Sequence, residues 1–250
     1  MPKHALITGG SRGIGLAIAQ LLARNNYQCS LIGRSAARLS EAVSSLPTNS
    51  HSGTLAHRTI AGDISAPDFW ERDNMSVQGL DKGSKKIDVL VNCAGVAQER
   101  LFKRVSEEEI KQIVDTNLTG MMLGTRFLLR RRENREDKPG QVIINVSSLL
   151  GLKGGRGAVA YAASKAGVLG FTRALAAEVG PLGIRVNAIV PGYIETDMTE
   201  HLQKSSDLIS QIPLKRFGTP EEVADAAWFL INNQYANNCV LNLDGGLSAV

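Results

Sequence analysis

An α/β fold with a doubly wound parallel sheet, flanked by helices on both faces, is predicted by three features of the sequence. Short β-branched and aliphatic runs alternate with helix-period segments along the whole chain. Several of these runs are almost continuously apolar, which is typical of parallel strands covered on both faces. The alternation of strand and helix favours right-handed crossovers in one sheet. Because no repeat or linker interrupts this pattern, we expect residues 1–250 to form a single domain.

The apolar runs predict seven strands, and the segments with a period of 3.6 residues predict five helices between them. The strands are expected at Ala5–Thr8, Gln28–Ile32, Arg58–Ala61, Val89–Asn92, Val142–Val146, Arg185–Val190 and Val240–Leu243. The helices are expected at Gly13–Asn25, Ala36–Ser45, Glu107–Arg132, Ala160–Val179 and Pro220–Ile231. The last helix has a sequence typical of a helix start, since Thr219 can cap it and Pro220 suits its first position. The polar stretches Pro47–Gly53 and Asp73–Lys86 are expected to be surface loops.

Composition and charge exclude several classes of protein. The 250 residues include 43% hydrophobic residues, which excludes a disordered chain. No run of about 18 apolar residues occurs, so no membrane span is expected. The 28 Lys and Arg against 24 Asp and Glu give a net charge of +4, which is too small to indicate nucleic-acid binding.

The cysteines argue against a metal centre and against a disulfide framework. Cys29, Cys93 and Cys239 are an odd number without CxxC spacing. No metal site is therefore predicted, and a reduced intracellular compartment fits best. The apolar run that begins at Ala5 leaves too little room before it for a signal or transit peptide.

A glycine-rich turn follows the first predicted strand and opens the first predicted helix. Glycines let the backbone turn sharply and approach a pyrophosphate, whose charge then lies at the helix N-terminus. A Rossmann-like dinucleotide site is therefore predicted here, and the alternative is a tight turn that binds no ligand. The residues expected to contact the cofactor in this turn are Gly9, Ser11, Arg12, Gly13, Ile14 and Gly15.

Arg34, at the end of the second predicted strand, indicates which nicotinamide cofactor is used. NADH is normally held at this position by an acidic residue that binds the ribose hydroxyls. Arg34 instead offers a planar guanidinium suited to a phosphate, and Arg12 can converge on the same group. The sequence therefore predicts NADPH/NADP⁺, with a solvated surface charge as the alternative role of Arg34.

A candidate catalytic pair lies four residues apart in the fourth predicted helix. At this spacing Tyr161 and Lys165 share one helix face, so the ammonium is expected to favour the phenolate and lower the pKa of Tyr161. Ser148 follows the predicted strand Val142–Val146, at a carboxyl edge where ligands bind in parallel sheets. Asn117 lies inside a long predicted helix although Asn is a poor helix former.

Together, Asn117, Ser148, Tyr161 and Lys165 resemble the catalytic tetrad of the short-chain dehydrogenases/reductases, as does the Thr-Gly-x-x-x-Gly-x-Gly spacing of the glycine-rich turn. The resemblance implies that Tyr161 donates a proton and that Ser148 binds the substrate oxygen. It also implies that Lys165 holds the nicotinamide ribose and that Asn117 anchors a water in a proton relay. The tetrad spacing selects Ser148 over its neighbour Ser147.

The same resemblance extends the cofactor site beyond the glycine-rich turn. It gives Asp63 the adenine amino group, and it places the loop after the sixth predicted strand over the nicotinamide, with Ile194 and Thr196 holding the carboxamide. Cys93 departs from the family pattern of Asn-Asn-Ala-Gly and is interpreted as a small buried residue, not as a nucleophile. The stretch Thr199–Pro213 is interpreted as a lid. The implied cofactor-binding residues outside the turn are Arg34, Asp63, Ile64, Asn92, Ala94, Gly95, Tyr161, Lys165, Pro191, Gly192, Ile194 and Thr196.

Within the family, the chain resembles the 3-oxoacyl-[acyl-carrier-protein] reductases and related carbonyl reductases. The stretches that carry this resemblance are Ser148–Gly154, Gly192–Met198, Pro213–Gly218 and Leu243–Gly246. They imply NADPH-dependent reduction of a 3-oxoacyl thioester in fatty-acid synthesis. A carbonyl, quinone or secondary-metabolite reductase is an alternative, and so is a non-catalytic NADPH-binding partner subunit. The resemblance is compatible with the cytoplasm or the mitochondrial matrix.

A basic segment, Arg126–Lys138, suggests how an acidic carrier protein could be recognised. It has six basic and three acidic residues, and Arg130, Arg131 and Arg132 are the candidates for docking. The alternative is a solvated helix end, where arginines are favoured by the helix dipole. The resemblance further implies a homotetramer, or a hetero-oligomer with a related chain.

Overall fold

A computed structural model describes residues 2–48, 56–66, 68–71, 80, 86–132, 140–203 and 205–250, without the side chains of residues 131 and 132. The described residues form a seven-stranded parallel sheet with the order β3-β2-β1-β4-β5-β6-β7. The strands are β1 (His4–Thr8), β2 (Gln28–Gly33), β3 (Arg58–Ala61), β4 (Val89–Asn92), β5 (Gln141–Val146), β6 (Ile184–Pro191) and β7 (Val240–Leu243). The predicted doubly wound α/β fold is confirmed, with strand ends that differ from the prediction by one residue at most.

The α-helices are α1 (Gly13–Arg24), α2 (Ala36–Ser44), α3 (Glu107–Val114), α4 (Gly120–Arg132), α5 (Leu150–Lys153), α6 (Val159–Val179), α7 (Ser206–Gln211) and α8 (Pro220–Asn232). The predicted start of α8 is confirmed, because Thr219 and Glu222 form a reciprocal capping box there. The predicted loop Asp73–Lys86 lies outside the described residues except for Leu80 and Lys86, and so does Pro47–Gly53 after Thr48.

One helix prediction was wrong in its continuity. Glu107–Arg132 was expected to be a single helix, but a π-helical turn at Asp115–Thr119 separates α3 from α4. The turn surrounds Asn117, whose amide bonds to the backbone of Val96 in a neighbouring loop. A π-helical turn accommodates one extra residue and is common at functional sites, so the interruption places the Asn117 side chain toward the sheet edge.

The core is divided into two apolar layers because strand residues alternate between the two faces of the sheet. In β1, Ala5 and Ile7 belong to the layer that α1 and α8 cover, whereas Leu6 belongs to the layer that includes α4 and α6 residues. Both layers are apolar, so β1 is buried along its whole length. This burial on both faces explains why the strand reads as a continuous apolar run.

The order of the strands creates the cleft that positions the site. The chain moves outward from β1 to β2 and β3, then returns to pair β4 with the other side of β1. The loops after β1 and β4 therefore diverge to opposite faces of the sheet at its carboxyl edge. This topological switch point is where open α/β sheets bind their ligands.

Candidate active site

The glycine-rich turn after β1 lies at the switch point and faces the loop after β4. Gly9 has φ +67°, and a Cβ there would lie 2.8 Å from the backbone of Ala94. Gly13 has φ +52° and a Cβ there would lie 3.2 Å from Thr196. Any side chain at these two positions would push the turn away from the loop after β4 or from Thr196. This close contact, together with the positive φ angles, explains why both residues are glycine.

The turn leads into α1 without an N-cap from a side chain. Arg12 occupies the N-cap position in an extended conformation, and no acidic residue lies in the first turn of the helix. The first backbone N–H groups of α1 are thus left to face the cleft, where an anionic group can accept from them. The arrangement fits the pyrophosphate of a dinucleotide.

A cavity of ≈ 450 Å³ extends from this turn along the ends of β1, β2 and β3. It brings together most of the cofactor residues that the sequence predicts, and it also exposes Arg38, which the sequence analysis missed. Arg34 precedes Ser35, the N-cap of α2, and Arg38 lies in the first turn of that helix. A second basic residue so close to the end of the predicted strand was the signal that could have revealed it. The predicted residues that line the cavity are Gly9, Ser11, Arg12, Gly13, Ile14, Gly15, Arg34, Asp63, Ile64, Ala94, Gly95 and Thr196.

One predicted cofactor residue is turned away from this cavity. Asn92 ends β4, but its side chain is buried and its Nδ2 donates to Asn145 Oδ1 (2.8 Å) and Thr125 Oγ1 (3.2 Å). These bonds join β4 to β5 and α4. A role of Asn92 toward the cofactor would therefore act through the backbone at the end of β4.

A second cavity of ≈ 220 Å³ adjoins the first and contains the predicted catalytic residues. Ser148, Tyr161 and Lys165 line it, together with Pro191, Gly192 and Ile194 from the loop after β6. Other lining side chains are mainly apolar: Leu149, Leu150, Ala158, Met198 and Leu202. Five residues line both cavities and mark where they meet: Ile14, Cys93, Gly95, Thr196 and Met198.

Lys165 is held by the backbone of β5. Its Nζ donates to the carbonyl of Val146 at 2.9 Å and lies 5.8 Å from the centre of the Tyr161 ring. Burial lowers the pKa of Lys165 to about 8, because a desolvated ammonium is costly. The α6 helix thus presents both side chains to the cavity, as the four-residue spacing predicted.

The pKa of Tyr161 differs from the expectation. The sequence predicted that Lys165 lowers it, but burial of the phenol raises the pKa, and a hydrogen bond with Ser148 offsets this only in part. The reason is that the buried ring loses the hydration that would stabilise a phenolate. Tyr161 therefore keeps its proton at neutral pH.

The two adjacent serines have different environments. Ser147 Oγ donates to the carbonyl of Lys165 at 2.7 Å and joins β5 to α6. Both serines line the second cavity, but Ser148 Oγ accepts from the N–H of Leu150 at 3.2 Å and is hydrogen-bonded with Tyr161. Because the hydroxyl of Ser147 already donates to the backbone of α6, the geometry favours Ser148 as the serine that binds a substrate.

Asn117 is fixed by three hydrogen bonds. Its Nδ2 donates to Val96 O (3.0 Å) and Ser164 Oγ (3.1 Å), and its Oδ1 accepts from Val96 N (2.8 Å). Gly95 lies between Asn117 and Lys165, because a Cβ there would be 3.3 Å from Asn117 Oδ1 and 3.4 Å from Lys165 Nζ. All four predicted tetrad residues therefore converge on one end of the cleft.

Two further residues complete this end of the cleft. Burial raises the pKa of Cys93 to about 11, so its thiol is protonated at neutral pH and is a poor nucleophile. Gln98, which no sequence signal indicated, accepts from the N–H of Ala160 at 2.8 Å and lines the second cavity. It satisfies the start of α6, whose N-cap residue Ala158 makes no side-chain cap.

The stretch that was predicted to be a lid is partly helical. Thr199–Pro213 contains a 3₁₀ turn at Glu200–Leu202 and the short helix α7. Among the described residues, no group of three His, Cys, Asp or Glu side chains could hold a metal ion. None of the helices in those same parts of the chain is long and apolar enough to cross a membrane.

Comparisons with known proteins agree with this geometry. The model of the short chain dehydrogenase family matches residues 3–207. The chain is 38% identical over 251 residues to a human 3-oxoacyl-[acyl-carrier-protein] reductase, with both chains covered completely. It is 37% identical to carbonyl reductase family member 4 of Danio rerio, covering 99% of this chain and 98% of that protein.

Solved structures show the same architecture. A short chain dehydrogenase from Bacillus anthracis has a TM-score of 0.85 at 29% identity, covering 98% of this chain and 96% of the other. A protein from Beutenbergia cavernae whose structure contains bound NADP has a TM-score of 0.87 at 30% identity, covering 99% and 97%. The chain therefore belongs to the short chain dehydrogenase family of oxidoreductases, which use a nicotinamide cofactor.

Proposed function

We propose that the protein is an NADPH-dependent reductase of 3-oxoacyl thioesters, with an acyl carrier protein as the carrier, in fatty-acid synthesis. The observation that carries the proposal is that two cavities adjoin: one is lined by glycines and arginines, and the other is mainly apolar and contains Ser148, Tyr161 and Lys165. The first suits a phosphorylated dinucleotide and the second suits an acyl group. The name of the human relative agrees with this substrate class, and the name of the Danio rerio relative agrees with carbonyl reduction in general.

The residues of this chain perform the acid chemistry. A bound nicotinamide cofactor would supply the hydride that reduces the carbonyl carbon of the substrate. Tyr161, which burial keeps protonated, donates its proton to the carbonyl oxygen. Ser148 donates a hydrogen bond to the same oxygen as negative charge develops on it. The ammonium of Lys165 then stabilises the phenolate, and Asn117 holds the π-helical turn against Ser164 so that a water can relay the next proton.

NADPH is proposed over NADH because positive charge surrounds the cleft at the end of β2. Arg12, Arg34 and Arg38 all line it and all are exposed. Guanidinium groups bind a phosphate through paired, charge-assisted hydrogen bonds. Asp63 also lines this end, but its Oδ1 accepts from the N–H and hydroxyl of Ser65 at 2.9 and 2.6 Å. It follows β3, not β2, where an acid that selects NADH would be expected.

The substrate class is tested by steady-state kinetics with a panel of carbonyl compounds. We expect kcat/KM with NADPH to be highest for 3-oxoacyl thioesters, above small diketones and quinones, because the acyl chain of a thioester can contact the apolar lining of the second cavity. A higher kcat/KM for diketones or quinones would favour the alternative carbonyl reductase of the same family. No turnover of any of them, with NADPH bound, would favour the non-catalytic partner subunit.

Carrier docking is proposed at the end of α4, where Arg130 is exposed. Arg126 of the basic segment is exposed as well, whereas the side chains of Arg131 and Arg132 and residues 133–138 lie outside the described part of the chain. Reversing the charge of Arg130, Arg131 and Arg132 together should raise KM for acyl-carrier-protein substrates and leave small diketones unaffected. An equal loss on both substrates would contradict docking at this segment.

A homotetramer is proposed from two separate groups of exposed apolar side chains. In the first group, Phe102 lies just before α3 and Val159 is the first residue of α6. In the second group, Phe229 lies on α8, Tyr235 lies between α8 and β7, and Val240 begins β7. Two different self-complementary faces are what a tetramer with dihedral symmetry requires. Light scattering should give four times the 26.8 kDa chain mass. A monomer would contradict this assembly, and a mass that appears only with a related chain would favour a hetero-oligomer.

A further inference from the structure

Asp197 lies opposite the arginines of the cofactor cleft. Arg12 Nη1 donates to Asp197 Oδ2 at 2.5 Å, and both residues line the larger cavity. The hydrogen bond from Arg12 holds the pKa of Asp197 below its ordinary value, and the charges of Arg12 and Arg38 add to this effect. The carboxylate is therefore ionised at neutral pH and faces the same guanidinium that would bind a phosphate.

The position of Asp197 is set by its loop. The preceding residue, Thr196, packs against the glycine-rich turn, where a Cβ on Gly13 would lie 3.2 Å from Thr196 Cγ2. Thr199 closes the loop, because its hydroxyl donates to the carbonyl of Ile194 and accepts from the N–H of Thr196. This close packing brings Asp197 to the edge of the cleft.

We propose that Asp197 is a specificity-determining residue for the cofactor, because its carboxylate competes with the 2′-phosphate of NADPH for Arg12. This inference rests on the NADPH preference proposed above. A 2′-phosphate that binds Nη1 of Arg12 must displace the carboxylate from it. A 2′-phosphate that binds another N–H of the same guanidinium lies close to the carboxylate, and the two anions repel each other. NADH has a hydroxyl in place of this phosphate, so its binding requires no such displacement. Asp197 thus moderates the preference that the three arginines create.

The test is a comparison of dissociation constants for NADPH and NADH, measured by cofactor fluorescence on the full-length protein without substrate. Asp197→Asn keeps the size of the side chain and removes its charge. We expect the ratio Kd(NADH)/Kd(NADPH) to rise about two- to five-fold, the range that corresponds to the weak coupling of exposed ion pairs. The rise should come mainly from tighter NADPH binding.

Glu195→Gln is the matched control. Glu195 lies in the same loop, is exposed and undergoes the same change of charge, but it lines neither cavity. Its charge acts on Arg216, at the other side of the loop. We expect the ratio of the two dissociation constants to stay at its wild-type value, so that a general effect of removing a negative charge is separated from competition at Arg12.

The outcomes separate this inference from the proposed function. If the wild type prefers NADPH and Asp197→Asn leaves the ratio unchanged or lowers it, the competition is rejected and the proposed cofactor stands. If the wild type prefers NADH, the proposed cofactor is rejected, and a ratio that still rises in Asp197→Asn supports the competition. Asp197→Ser serves as a second variant should the first fail to fold, with circular dichroism as the check.

Discussion

The two ends of the cleft are built from different kinds of side chain. At the proposed catalytic end, Asn117 and Lys165 are buried and hydrogen-bonded to backbone atoms of neighbouring segments. At the other end, Arg12, Arg34 and Arg38 are exposed. The buried residues have one conformation in which their polar atoms are hydrogen-bonded. The exposed guanidinium groups of the arginines can bind different anionic groups. Arg12 is an example, because the guanidinium that could bind a phosphate forms an ion pair with Asp197 in this structure.

The largest effect is expected from Tyr161→Phe at the catalytic end. Loss of the proton donor should lower kcat by about 10³- to 10⁴-fold, because the remaining residues cannot protonate the substrate oxygen. NADPH binding should change little, since the phosphate-binding end is untouched. A loss of turnover, followed by NADPH absorbance, together with an unchanged Kd for NADPH, measured by fluorescence, would support the role of Tyr161 as proton donor. Tyr27→Phe, at a tyrosine that lines neither cavity, is the control. Substantial activity in Tyr161→Phe would refute the mechanism.

The next effect distinguishes Ser148 from Ser147. Ser148→Ala should lower kcat by about 10²-fold, because the substrate oxygen loses a hydrogen-bond donor, with little change in stability. Ser147→Ala should have the opposite effect. Its kcat should stay near the wild-type value, but its free energy of unfolding should be lower by about 1 kcal/mol, because the buried hydrogen bond that joins β5 to α6 is lost. Kinetics and urea unfolding of both variants provide the measurement, and the reverse pattern would move the catalytic role to Ser147.

Burial of Lys165 has a consequence for stability that depends on pH. Its pKa is near 10.5 in the unfolded chain and about 8 in the folded one. Below pH 8 both states are protonated, and the full cost of burying the charge destabilises the fold. Between pH 8 and 10.5 the unfolded state binds more protons, so the wild type becomes more stable as pH rises.

Lys165→Met removes this titration. The free energy of unfolding of the variant minus that of the wild type should fall by about 2–3 kcal/mol between pH 7 and pH 10. Denaturant unfolding without cofactor, repeated across this range, measures the difference. Lys111→Met, at an exposed lysine of α3, controls for the loss of one positive charge. A difference that does not vary with pH would contradict the lowered pKa of Lys165.

The sequence predicted the fold better than it predicted local irregularities. Strands such as β1 and β5 were recognisable because burial on both faces requires continuous apolar runs, and their ends moved by one residue at most. The π-helical turn at Asp115–Thr119 was not predictable from periodicity. Asn117, inside this turn, contacts Val96, which is 21 residues away in the sequence and meets it only in the folded chain.

The catalytic end was predictable where the helix itself fixes the geometry. Tyr161 and Lys165 share a face of α6 because of their spacing, but the spacing did not reveal that burial would raise the pKa of Tyr161. At the other end, residue type indicated Arg34, whereas the pairing of Arg12 with Asp197 was not foreseen. Such a contact joins residues 185 positions apart and depends on how two loops pack.

The smallest effect is expected at the exposed end, from Arg34→Asp. We expect Kd for NADPH to rise about ten-fold, because one charge-assisted contact to the phosphate is replaced by repulsion that solvent screens. Kd for NADH should rise less or fall, since the new carboxylate can accept from ribose hydroxyls. Arg24→Asp, at an exposed position at the end of α1, controls for net charge. An equal change for both cofactors would show that Arg34 is a solvated charge, and NADPH selectivity would then depend on Arg12 and Arg38.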